Sequence, residues 1–331
     1  MLQTLPLVLF IVMAEVSVGA VSVLVFLDWR NEVKRGFLIS YALIYLVLAG
    51  LTYLFAQNFS TPELLNTFPL LDKAWTGSLE LPLLLFFLLL IPYSLFLLLD
   101  KSAGVAEKQE SPVAEEDRTV PVAARRGSPF RALRLLSGGA TVLAGLTTLF
   151  VLGMIYRPLA ASQLGGIFTV ASFFAAAFAL GGVLTAMWLG HWYLVTPALS
   201  GRPLQFSTTL VLVAVVAQIA FALASGPGIL FGSPLATSSA TPVATPAPIA
   251  TPAPGTNIKP AGAPVVTPLS TDAIGWLHIL VGFVMPLVLG GLSWKLIRDR
   301  SFQSATGMLY LVVVCALAGE AMARGLFLVH L

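Results

Sequence analysis

Apolar residues in this chain fall into long unbroken blocks, with neither a period-two alternation nor a one-sided helical stripe. Eight blocks run over approximately 5–27, 37–57, 80–99, 134–156, 164–194, 206–226, 273–295 and 305–330. A helix needs roughly 20 apolar residues to cross about 30 Å of hydrocarbon, and each block reaches that length. None shows the roughly ten-residue alternating segments of a membrane barrel, so helices rather than strands are expected. The pattern predicts an all-α fold, a polytopic membrane helix bundle of about eight transmembrane helices. No Lys or Arg precedes the first block, Arg30 being the first. Its apolar run also exceeds the usual core of a secretion signal, so it is expected to be an uncleaved anchor whose N-terminus is translocated.

The polar stretches between blocks divide the chain. Residues 1–99 hold helices one to three, 134–226 helices four to six, and 273–331 helices seven and eight. Residues 100–133 read as a cytoplasmic linker carrying both signs of charge, with Glu115, Glu116 and Asp117 against Arg125 and Arg126. A segment of that composition buries too little apolar surface to fold alone. Residues 227–272 repeat Ala-Thr-Pro at Ala240, Ala244 and Ala250. Proline there favours an extended, semi-rigid spacer on the extracytoplasmic side.

Composition narrows the class further. Hydrophobic residues make up 57% and charged residues 10%, against about a quarter charged in soluble domains. A soluble globular protein, a disordered chain, a disulfide scaffold and a nucleic-acid binder are thereby excluded, and the lipid bilayer is the expected partner. The lone Cys315 leaves no disulfide within the chain. The net charge of +3 suggests an anionic partner until the charges are mapped. With the N-terminus outside, the inner loops take fourteen of the 18 Lys and Arg, including Arg30, Arg131, Arg134, Arg202 and Lys295. Lys73, Arg157, Lys259 and Arg324 remain for the outer side. That asymmetry follows the positive-inside rule. It predicts both termini extracytoplasmic, in a multi-pass protein of the cell's inner (cytoplasmic) membrane.

Ionisable groups within hydrocarbon are costly and are therefore the functional candidates. Glu15 lies near the middle of the first block; it is either a proton-relay or quinone-contacting acid, or a neutral acid hydrogen-bonded to another helix. Glu320 and Arg324 are spaced i,i+4 on the last block, so they share a helix face. They form either a structural ion pair or the polar rim of a pocket opening outward. His278 lies near the outer end of the seventh block, and His191-Trp192-Tyr193 near the inner end of the fifth. This trio fits a cofactor or quinone contact, or an aromatic belt at the membrane boundary. His191 and His278 are expected at opposite faces, and pairing His278 with His330 relies on a terminal residue. A haem b site is therefore not expected, nor is a metal site. Pro286, followed by Gly290-Gly291, predicts a kink, and Gly181-Gly182 a close helix approach.

In the last block, Ala318-Gly319-Glu320, Arg324-Gly325 and Phe327 resemble the final helix of the DMSO reductase membrane-anchor subunits. These anchors belong with the polysulfide-reductase-type integral membrane subunits. The opening block, with Pro6-Leu7-Val8-Leu9-Phe10, Glu15 and Gly19, resembles the first helix of the same anchors. The resemblance covers about 40 residues at the two ends. It implies a subunit of a respiratory or electron-transfer complex that binds quinol near the outer face and anchors an extracytoplasmic iron–sulfur partner, carrying no haem of its own. Glu320 and Arg324 would then support the quinone pocket, with His278 exchanging protons. The Thr/Pro spacer and the stretch around His191 lie outside the family pattern. The alternatives are a non-catalytic membrane scaffold or assembly subunit, a small-solute transporter, or a haem b protein.

Overall fold

A computed structural model describes residues 4–100, 103–104, 129–160, 162–196, 200–225 and 271–328. Eight helices long and apolar enough to cross a membrane account for most of them, and no strand occurs among the described residues. They are α1 (Leu5–Arg30), α2 (Arg35–Phe59), α3 (Glu80–Leu99), α4 (Pro129–Tyr156), α5 (Gln163–Val195), α6 (Arg202–Ser225), α7 and α8 (Phe302–Phe327). The α7 helix consists of Thr271–His278, a π-helical turn Ile279–Val284, and Met285–Arg298. The number and type of elements match the apolar pattern. The boundaries differ where helices continue past the apolar run: α4 begins at Pro129 rather than near 134, and α6 at Arg202 rather than near 206. Arg134, expected in a loop, is inside α4 and buried. The Thr/Pro spacer and most of the charged linker lie outside the described residues.

The bundle is built around α1. Its sequence is apolar on all sides, which suits a helix buried all round, and α2, α4, α5 and α8 all pack against it. The α1–α5 crossing is set by glycine. A Cβ on Gly19 would overlap the Ala177 carbonyl, and one on Gly181 would overlap the Gly19 backbone. The pair thus allows backbone-to-backbone approach, as small residues do where helices cross in membranes. Gly19→Ala is expected to cost about 1–3 kcal/mol, as overpacking does, measured as a lower unfolding midpoint in detergent. Gly291→Ala, where a Cβ meets nothing within 4 Å, is the matched control and should be close to neutral.

The kink expected near Pro286 takes a specific form. Proline lacks the N–H that a helix interior requires, and its ring clashes with the carbonyl four residues back. The π turn Ile279–Val284 lies immediately before it and accommodates that break. The same turn brings Gly282 against Gly319 of α8, where a Cβ on Gly319 would overlap the Gly282 backbone. Close α7–α8 contact then positions His278, the residue just before the π turn.

Candidate functional site

Arg324 is the centre of a buried polar cluster that joins the first helix to the last. Its Nε lies 2.8 Å from Glu320 Oε1, one helical turn away. Its Nη2 donates to Glu15 Oε1 on α1, 309 positions distant in sequence. Gln218 of α6 donates from Nε2 to the other Glu320 oxygen at 2.9 Å. The guanidinium carbon lies 4.0 Å from the centre of the Phe173 ring, in cation–π range. Phe173 in turn stacks on Tyr156, whose hydroxyl is buried without a hydrogen-bond partner. Glu15 is fully buried, and Glu320 and Arg324 nearly so.

His278 stands beside this cluster. Its Nδ1 lies 3.0 Å from the Gly319 carbonyl. A carbonyl only accepts, so Nδ1 carries the hydrogen and Nε2 of the neutral ring is left as an acceptor. The Phe283 ring packs edge-on against the imidazole at 4.6 Å.

A cleft opens beside these groups, between α5, α6, α7 and α8. Gln218, His278, Glu320 and Arg324 form its polar end, and Phe168, Phe221, Phe283 and Phe327 its apolar sides. Its atom-free space, open mouth included, is about 580 Å³. Sites that take small organic ligands share this mixture of apolar walls and a few convergent polar groups.

The charges also define what the cluster can do. Two carboxyls share one guanidinium, so the trio carries one net negative charge when both are ionised and none when one is protonated. It can take up or release a proton while Arg324 keeps both partners. Burial of a net charge in hydrocarbon is costly.

Four of the residues singled out in the sequence therefore come together: Glu15, Glu320, Arg324 and His278. The other three do not. His191, Trp192 and Tyr193 follow Phe173 by about 18 residues on α5, or roughly 27 Å at 1.5 Å per residue. There His191 is exposed, Trp192 meets Phe37 edge-on at 5.9 Å, and Tyr193 stacks on Phe302 at 5.1 Å. The Tyr193 hydroxyl donates to the Ser200 carbonyl, tying the end of α5 to the start of α6. His330 lies outside the described residues.

Two features escaped the sequence. Gln218 is one, though an amide inside an apolar block is itself a signal. The other is a second buried ion cluster. Arg134 Nε lies 3.0 Å from Asp28 Oδ2, and its Nη1 lies 2.7 Å from Asp100 Oδ2. The Tyr93 hydroxyl donates to Asp28 Oδ2 at 3.3 Å. This cluster joins the opposite end of α1 to α3 and α4. Comparisons with protein-family models, with curated proteins and with solved structures give no match.

Proposed function

We propose that the cleft is a quinol site, and that the chain is the membrane subunit of a respiratory or electron-transfer complex. The observation that carries this reading is the convergence of His278, Gln218, Glu320 and Arg324 at the end of an aromatic-walled cleft within helices long enough to cross a membrane. A quinol has matching chemistry: a flat apolar ring, two hydroxyls that donate, and a tail suited to lipid. One hydroxyl would donate to Nε2 of His278, and Glu320 and Gln218 would meet a ring oxygen. Oxidation of quinol to quinone releases two protons and two electrons. Of the two ring-oxygen protons, one would pass to His278 and the other to the Glu320–Arg324–Glu15 cluster. The electrons would go to an iron–sulfur partner docked on the extracytoplasmic face, as the resemblance to DMSO reductase anchors implies. By the distribution of Lys and Arg, the membrane is the cytoplasmic one.

The competing reading is a scaffold in which these polar groups only specify helix packing. It draws support from the pairing of Arg324 with both carboxylates and of Gln218 with Glu320. Binding of a quinol analogue to the purified protein separates the two. Wild type should bind, and His278→Ala and Glu320→Gln should each weaken binding by about tenfold, or roughly 1.4 kcal/mol. Binding unchanged in both variants would move the site elsewhere. No binding by folded wild type would favour the scaffold.

A further inference from the structure

A second and larger cavity, of about 520 Å³, lies between α1, α4, α5 and α6. Val23, Phe26, Gly139, Phe178 and Phe206 are among its walls. The one hydroxyl in its lining, on Ser22, is committed to the Val18 carbonyl at 2.7 Å. Water would find too few polar partners to occupy such a space, and an empty one forgoes the dispersion contacts of its walls. Its lining includes Trp29 and Leu143, which are 61% and 67% exposed on the perimeter of the bundle. The natural filling is hydrocarbon from the bilayer.

Depth and charge specify the occupant further. The cavity follows α1 from Ser22 towards Arg30, eight residues or about 12 Å. That is close to the hydrocarbon depth of one leaflet, half of about 30 Å. The polar rim at that end is basic. The Arg30 guanidinium lies 5.8 Å from the Phe26 ring and 5.9 Å from the Phe206 ring, both of them cavity walls. Exposed Arg131 and Arg202 stand at the starts of α4 and α6, the helices that supply the other sides. Glu32, paired with Arg30 at 2.6 Å, offsets one of these three charges, so these helix ends keep a net positive charge.

We infer that this cavity binds an anionic phospholipid of that leaflet, with one acyl chain along the groove and the phosphate at the arginine rim. The site is separate from the cleft at Glu320 and does not depend on the quinol reading. Basic residues at a membrane surface attract anionic headgroups, at about 1 kcal/mol per Arg or Lys, or roughly fivefold in affinity.

The test uses the whole chain in mild detergent, with dioleoyl-phosphatidylglycerol and dioleoyl-phosphatidylcholine as probes and native mass spectrometry as the readout. Wild type should retain phosphatidylglycerol at least roughly fivefold better than phosphatidylcholine. Arg30→Gln with Arg202→Gln should remove that preference. Gly139→Leu should reduce retention of both lipids, because a Cβ there meets nothing within 4 Å and the added side chain fills the groove. Equal retention of the two lipids by wild type would overturn the inference. So would retention unaffected by Gly139→Leu in a variant that elutes as wild type does, or recovery of an isoprenoid quinone or a second copy of the chain from the groove.

Discussion

Arg324→Leu should lower stability by about 3–5 kcal/mol, the range seen when one partner of a buried ion pair is removed. The reason is what remains behind. Glu15, fully buried, and Glu320, 6% exposed, would lose their shared cation while Gln218 could still donate to only one of them. The leucine would also forfeit the guanidinium contact with Phe173. Unfolding in detergent followed by tryptophan fluorescence measures the loss. Most of it should return when Glu15→Gln and Glu320→Gln are added, because the buried charges disappear with their partner. Such non-additivity is expected of residues sharing one network. Loss of less than about 1 kcal/mol in the single variant, the level of an exposed pair, would mean that the three side chains do not form a buried cluster.

The eight helices were legible because hydrophobic length alone decides whether a segment can span hydrocarbon. Helix ends were less so. Arg134 and Arg202 read as loop charges because a basic residue beside an apolar block signals topology, yet both lie within helices. Arg202 is exposed, but Arg134 is buried because Asp28 and Asp100 neutralise it. That pairing has no local spacing to betray it. The Glu320–Arg324 pair was visible for the opposite reason, being one helical turn apart. Glu15 stood out as a lone acid in an apolar block, but its attachment to Arg324 spans 309 positions and depends on how α1 and α8 pack. The same limit applied to glycine: Gly181 was legible as a contact point, whereas Gly19 as its partner was not. His191, Trp192 and Tyr193 combine residue types that serve cofactor sites and membrane boundaries alike, and none of the three lines the cleft.

Arg134→Leu should cost a similar 3–5 kcal/mol, with a different consequence for ligand binding. Asp28, Asp100, Tyr93 and Arg134 are each no more than 2% exposed, so removal of the guanidinium takes from two buried carboxylates a cation that they share. Tyr93→Phe, which deletes one hydroxyl hydrogen bond of 3.3 Å, should cost only about 0.5–1.5 kcal/mol. None of these four residues lines the cleft beside Glu320. The folded fraction of Arg134→Leu should therefore bind a quinol analogue as wild type does, whereas Arg324→Leu should lose binding and stability together. Equal loss of binding in both variants would tie affinity to the integrity of α1 rather than to the cleft. The two clusters also tie α1 to different parts of the chain. The one at Arg134 joins α1, α3 and α4 and is complete once the fourth helix is in place. The one at Arg324 ties α1 to α8, the last helix among the described residues. In membranes, where apolar helices gain no hydrophobic drive towards one another and association rests on packing and polar contacts, that final ion pair is the bond that closes the bundle around its first helix.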